Sequence, residues 1–169
     1  MSLRQSPLSV LILFATSAIF QMPGRGQDAQ APVPAQIASA KTVFVSNAGE
    51  KNDYQARRSN WFSEPNQTYN HFYSAMKSWG RYELVSSPGD ADLILEIQLA
   101  YDEGPSGPLA YLVLRVVDLK TRVTLWRLSA PVEVAVRNQT RQKNFDTAMS
   151  SLVDDFKKLA SSATGARKN

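Results

Sequence analysis

Residues 91–137 constrain this chain more than any other stretch, because three runs there alternate apolar and polar residues with a period of two. Successive side chains of a strand point to opposite faces, so such alternation predicts half-buried strands. Leu93, Leu95, Ile97 and Leu99 share one face of the first run, with Glu96 and Gln98 on the other. Leu112, Leu114 and Val116 share a face of the second, opposite Tyr111, Val113, Arg115 and Val117. In the third, Thr124, Trp126, Leu128, Ala130, Val132, Val134 and Val136 keep one parity, and Arg127, Glu133 and Arg137 keep the other. One dry face and one wetter face is the habit of antiparallel strands. The polar link Asp118-Leu119-Lys120-Thr121 fits a tight hairpin. Residues 102–108, punctuated by Gly104, Pro105, Gly107 and Pro108, read as a longer loop. Pro131 cannot donate to a ladder, which predicts an edge or bulged third strand.

The flanks supply the remaining elements. Residues 41–47 form a first strand pattern, ended by Asn47-Ala48-Gly49. Asn66 is placed to cap a helix in which Tyr69, Phe72, Tyr73, Met76 and Trp79 make one stripe, and Gly80 stops it. Residues 82–85 read as a short second strand. The turn at residues 86–90 is too short for an ordinary parallel crossover, so either the second and third strands are antiparallel or the second is very short. After a polar connection at residues 138–143, Phe145, Ala148, Met149, Leu152, Val153, Phe156 and Leu159 form the clearest amphipathic helix, with Asp146 near its start and Lys157-Lys158 near its end suited to the helix dipole. The expected fold is a two-layer α+β domain: a mixed, mostly antiparallel sheet of about five strands, in the order β-α-β-β-β-β-α, with the helices packed on one face.

The first 26 residues have the grammar of a secretory signal peptide. Arg4 supplies the positive start, residues 8–20 are apolar, and Gly24 and Gly26 suit a cleavage site. An apolar run of that length falls short of the roughly 20 residues that span a bilayer, so no stable membrane anchor is expected after cleavage. Residues 27–40, rich in Ala, Gln and Pro, read as a disordered linker. One globular domain is expected over residues 41–160 and a flexible tail over residues 161–169. The expected location is therefore periplasmic or extracellular. With no cysteine in the chain, neither a disulfide nor a lipidated cysteine is available, and the domain depends on its hydrophobic core.

Charge and residue inventory exclude several functions. The formal net charge of +4 falls to +2 once Arg4 and Arg25 leave with the signal, so nothing argues for nucleic acid. His71 is the sole histidine and lies on the first helix beside the apolar stripe. One histidine without cysteine cannot make a zinc site, and no serine–histidine–carboxylate pattern stands out. The acidic pairs Asp102-Glu103, Asp90/Asp92 and Asp154-Asp155 lack calcium-loop spacing. Gly104-Pro105-Ser106-Gly107-Pro108 is no phosphate cradle, because its prolines remove N–H donors. No catalysis and no cofactor are expected. Asn66-Gln67-Thr68 and Asn138-Gln139-Thr140 match glycosylation sequons. The feature that stands out as a candidate binding site is Arg57, Arg58, Trp61 and Phe62, large aromatics and arginines in the longest loop.

Two signatures resemble a known group. Trp79-Gly80-Arg81-Tyr82-Glu83-Leu84-Val85, followed by Ala91-Asp92-Leu93-Ile94-Leu95, is one. The hairpin Val117-Asp118-Leu119-Lys120-Thr121-Arg122-Val123-Thr124-Leu125-Trp126 is the other. Both are similar to exported, lipoprotein-like bacterial envelope domains of unknown function, and remotely to the N-terminal domain of TolB. The resemblance implies an α/β domain outside the cytoplasm without established catalysis. The missing cysteine departs from the lipoprotein members. The combined expectation is an exported, non-enzymatic module that binds another envelope protein, the alternatives being a small-ligand or lipid carrier with a pocket between helix and sheet, and, least favoured, a hydrolase.

Overall fold

The computed structural model describes residues 32–50, 66–105 and 107–165. In chain order these form α1 (Ala35–Ser39), β1 (Thr42–Glu50), α2 (Gln67–Trp79), β2 (Glu83–Leu84), a 3-10 turn (Pro88–Asp90), β3 (Leu93–Gly104), β4 (Gly107–Asp118), β5 (Thr124–Val132) and α3 (Asn138–Gly165). The sheet order is β2-β1-β3-β4-β5. β1 runs parallel to β2 and to β3, and β3, β4 and β5 are successively antiparallel. This is the mixed α+β sheet that the alternation predicts.

All the dry positions fall on one side. The pairs Val45↔Leu95, Leu95↔Val116 and Leu114↔Leu128 put the same parity of four strands on a common face. Onto that face pack Phe72 and Met76 from α2, and Phe145, Leu152 and Phe156 from α3, all fully buried or nearly so. Each such side chain contributes roughly 1.5–3 kcal/mol relative to leaving it in water. Trp126 is half-buried at the margin of the same cluster.

The short link between β2 and β3 resolves itself through the brevity of β2. Leu84 and Leu93 both stand level with Val43, on opposite sides of β1. The chain therefore has only to pass beneath the start of β1, without retracing a strand's length. Asp92 fixes that crossing: its Oδ2 accepts the backbone N–H groups of Lys41 (2.8 Å) and Thr42 (3.2 Å), and its own N–H reaches Thr42 O (3.0 Å).

Two bulges adjust the strands. In β5, Val116 faces Trp126 but Val117 faces Thr124, so Leu125 is the extra residue. Thr124 is thereby carried to the open face, where its Oγ1 accepts from Arg115 (2.9 Å). It does not share the face of Trp126. In β1 the register slips between Asn47 and Glu50, where Gly49 takes φ +78° and donates its N–H to Asn47 Oδ1. Asn47-Ala48-Gly49 therefore bulges the strand without ending it.

Backbone parity explains both informative prolines. Asp118 donates its N–H to Val123 O (3.0 Å) and accepts from Arg122 N–H (2.8 Å). Even-numbered residues of β4 thus turn their backbone groups toward β5, and odd-numbered ones toward β3. Pro108, an even position, has no N–H to offer β5. The β4–β5 ladder accordingly stops at Ala110↔Val132. Pro131 pairs with the odd Tyr111, so its nitrogen faces away from the sheet and no ladder bond is lost.

Several sequence expectations need correction. Residues 102–108 are not a long loop: β3 and β4 pair out to Gly104↔Gly107, a tight hairpin. Val134 and Val136 are not on the dry face, because β5 has ended before them and they stand 47% and 96% exposed. Residues 32–40, expected as part of a disordered linker, are not all irregular chain. α1 lies within them, and its Ile37 is fully buried in the main core. Tyr82 Oη donates to Ile37 O (2.8 Å) and Arg81 Nη2 to Ala38 O (3.2 Å), which hold the turn in place. Residues 138–143 are already helical, and the helix continues to Gly165 across the start of the expected tail. Asp146 and Lys157-Lys158 therefore sit in the helix interior, where terminal dipole effects have faded. Asn66 does precede α2, but at φ +63° and without a side-chain cap. Its Oδ1 instead accepts from Asn47 Nδ2 (2.8 Å), tying the start of α2 to the β1 bulge. Gly80 ends α2 in the left-handed region, φ +66°, as expected. No helix among the described residues is long and apolar enough to cross a membrane.

Candidate functional site

Strand directions gather three connections at one end of the sheet. β1 and β3 both point toward it, the β3–β4 hairpin turns there, and β5 leaves it for α3. The segment with Arg57, Arg58, Trp61 and Phe62 joins Glu50 to Asn66, both at this end. Those four residues lie outside the described residues. Because Pro108 ends the β4–β5 ladder, the β3–β4 hairpin outruns β5, and residues 133–137 peel away to start α3. Asn144 Nδ2 holds that departing chain by donating to Glu133 O (3.0 Å).

The peeling leaves apolar surface uncovered. Among the described residues four large aliphatic side chains are exposed: Leu109, Val123, Val134 and Val136. Three of them are at this hairpin end; Val123 stands alone in the β4–β5 turn at the other. Single exposed aliphatics are ordinary and contiguous patches mark contact surfaces; here Leu109, at an odd position of β4, is on the open face, and Val134 and Val136 follow on the departing chain. The same end carries the start of α3, where Arg141 Nη2 donates to Asn138 Oδ1 and Arg141 Nε is buried without a partner. Sequence reasoning missed Val134 and Val136 by reading them as strand. Pro108, opposite the position where they would have paired, is the residue that could have revealed it.

Two further surfaces are polar. A groove of about 730 Å³ runs between α2 and α3, past His71, Ala75, Trp79, Asp146, Ser150 and Lys157. At its upper end Gln67 Nε2 donates to Gln142 Oε1 (2.8 Å) and Gln142 Nε2 to Asp146 Oδ1 (2.9 Å). His71 Nδ1 is 3.7 Å from the same Asp146 oxygen, and its ring meets Phe145 edge-on at 5.3 Å. This network joins two helices; it presents no hydroxyl hydrogen-bonded to the imidazole. On the open face of the sheet, Arg115 pairs with Glu96 (2.9 Å). Beside them a depression of about 250 Å³ is lined by Gln98, Tyr111, Val113, Arg127 and Ser129. None of these hollows lies between helix and sheet.

Among the described residues, two groups with displaced ionisation lie at the other end of the sheet. The Lys41 and Thr42 backbone N–H groups hold the Asp92 carboxyl below its ordinary value, and burial raises the Tyr82 phenol. No group of three or more His, Cys, Asp or Glu that could hold a metal occurs among the described residues.

No family model matches the sequence, and no curated protein matches it. Solved structures with a similar arrangement include the PelC dodecamer of Paraburkholderia phytofirmans, 13% identical with a TM-score of 0.45, covering 74% of this chain and 91% of that one. Lipoprotein GNA1162 of Neisseria meningitidis is 13% identical with a TM-score of 0.37, covering 67% of this chain and 96% of that one. The uncharacterised lipoprotein B of Nitrosomonas europaea is 9% identical with a TM-score of 0.38, covering 76% and 86%. Scores this low carry no functional argument.

Proposed function

We propose that this chain is an exported, non-enzymatic domain that binds another protein of the cell envelope through the hairpin end of its sheet. The supporting observation is the concentration of Leu109, Val134 and Val136 there, with Val136 96% exposed. Apolar area left in water costs about 25 cal/mol per Å², which a partner's surface would recover. Arg57, Arg58, Trp61 and Phe62 belong to the connection that leaves and re-enters the domain at this end, and arginine and aromatic side chains are the usual anchors of protein contacts. Export rests on the signal pattern of residues 1–26. The carrier reading draws no support from the helix–sheet interface, which Phe72, Phe145 and Phe156 fill.

Photocrosslinking in the producing cell tests this. A crosslinker placed at Val136 should form an adduct with an envelope protein, and the same group at the exposed Val123 should not. Equal or absent adducts at both positions would refute the assignment. Trp61→Ala with Phe62→Ala should weaken the Val136 adduct while the circular dichroism spectrum stays unchanged.

A further inference from the structure

Successive rows of side chains cross the open face of β3, β4 and β5. Glu96–Arg115–Arg127 is followed by Gln98–Val113–Ser129 and then by Ala100–Tyr111–Pro131. In the first of these rows two arginines stand directly opposite one another. Odd-numbered residues of β4 turn their backbone groups toward β3, so Arg115 and Arg127 form a non-hydrogen-bonded pair, the closer spacing at about 4.5 Å between Cα atoms. Like charges in that relation are destabilising. Arg115 is neutralised: its Nη1 meets Glu96 Oε2 at 2.9 Å, and its Nη2 donates to Thr124 Oγ1 at 2.9 Å. No carboxylate among the described residues pairs with Arg127. It lines the depression of about 250 Å³ instead. Val113 is the floor of that depression, 1% exposed although it belongs to the open face. Gln98 and Ser129 stand on either side of it, and Asp102 lines the far end.

We propose that this depression binds a small molecule carrying a single carboxylate. The planar guanidinium of Arg127 takes the carboxylate in a fork of two charge-assisted hydrogen bonds. The Ser129 hydroxyl and the Gln98 amide supply further donors, and the body of the ligand lies on Val113 against the Tyr111 ring. A charge kept where it costs stability, beside a hollow, is accounted for by what it holds there. Asp102 sets the other end, where a second carboxylate is repelled and an ammonium group is attracted. The volume lies just under the roughly 300–1,000 Å³ of ordinary ligand pockets, which limits the ligand to an amino acid, a short peptide or a simple acid. The site is separate from Val134 and Val136, so its failure would leave the hairpin-end reading untouched.

NMR titration of the isotope-labelled full chain at constant ionic strength, up to about 50 mM ligand, tests this. Ala-Ala should shift the Gln98 side-chain amide and the backbone amides of Val113 and Ser129, saturating with a dissociation constant of about 1 mM or tighter. Acetate should shift the same signals, and the amidated dipeptide should not. Ala-Ala binding well below acetate would identify an amino acid or peptide as the source of the carboxylate; equal affinities would identify a simple acid. Succinate should bind more weakly than Ala-Ala, and Asp102→Asn should narrow that difference. Arg127→Gln should weaken Ala-Ala at least about tenfold without lowering the melting temperature of the free protein, since it removes the opposed charge. Arg122→Gln, which takes the same charge from the β4–β5 turn, should bind as before. Absence of saturable shifts with both Ala-Ala and acetate overturns the proposal, as does undiminished binding by Arg127→Gln. Equal weakening by Arg122→Gln would reduce the effect to net charge, and a lower melting temperature for Arg127→Gln would give that arginine to the fold; either result overturns it too.

Discussion

Asp92 shows how much of this fold turns on single polar atoms. The N-terminal edge of β1 has two backbone N–H groups that its parallel neighbours leave free, and one carboxylate oxygen accepts both. These bonds favour the charged form, so the folded-state ionisation lies below the ordinary value of 3.8. The linked stability is complete above that ordinary value and is lost as pH falls through the lower, folded one. Asp92→Asn should therefore lower the melting temperature at pH 6 and show a flatter acid limb, with the two proteins converging near pH 2. The carboxylate stands in solvent, which limits the loss to ~0.5–1 kcal/mol. An identical pH profile for the two proteins would show that the crossing does not need its carboxylate. The sequence pattern places Asp92 only in the Ala91-Asp92-Leu93 signature that opens a strand; its partners lie 50 and 51 residues away, and no local rule reaches that far.

Among the elements, strands whose residues alternate strictly were legible, because one buried face dictates register. The helical stripes of Phe72-Met76 and of Phe145-Phe156 were legible for the same reason, and burial bears them out. Elements without such a stripe were not. α1 has one apolar anchor, Ile37, in a stretch whose composition otherwise suits a tether. Residues 138–143 are polar on every side, yet good helix formers continue the helix outward from a packed segment. The exposed hairpin end was hidden by the continuing alternation at Val134 and Val136, which satisfied the strand pattern after the ladder had run out of donors. The role of α1 is open to direct measurement. Ile37→Ala should cost about 2–5 kcal/mol, with the midpoint of urea unfolding falling while the slope hardly changes. A change below about 0.5 kcal/mol would place α1 outside the cooperative unit.

For the whole molecule, the sheet joins contacts of very different range. β3, β4 and β5 are linked by short turns and can pair locally, whereas β1 reaches its neighbour β3 across about fifty residues of chain, as in Val43↔Leu93. Closing that longer loop carries the larger entropy cost, which slows such pairings. Pulse-labelled hydrogen exchange during refolding should protect Leu112 and Leu114 before Phe44 and Ser46. Simultaneous protection of both sets would show that the meander has no independent foothold.

Because β1 is wedged between β2 and β3, the earliest-synthesised strand of the domain has no seat until β3 has emerged. A polypeptide leaving the ribosome must keep Val43 and Val45 waiting, unsheltered, while the two strands that will flank them are still being made. Any factor that shields this leading segment would have its work finished at about the moment Leu99, which stands opposite Glu50 at the far end of β1, arrives.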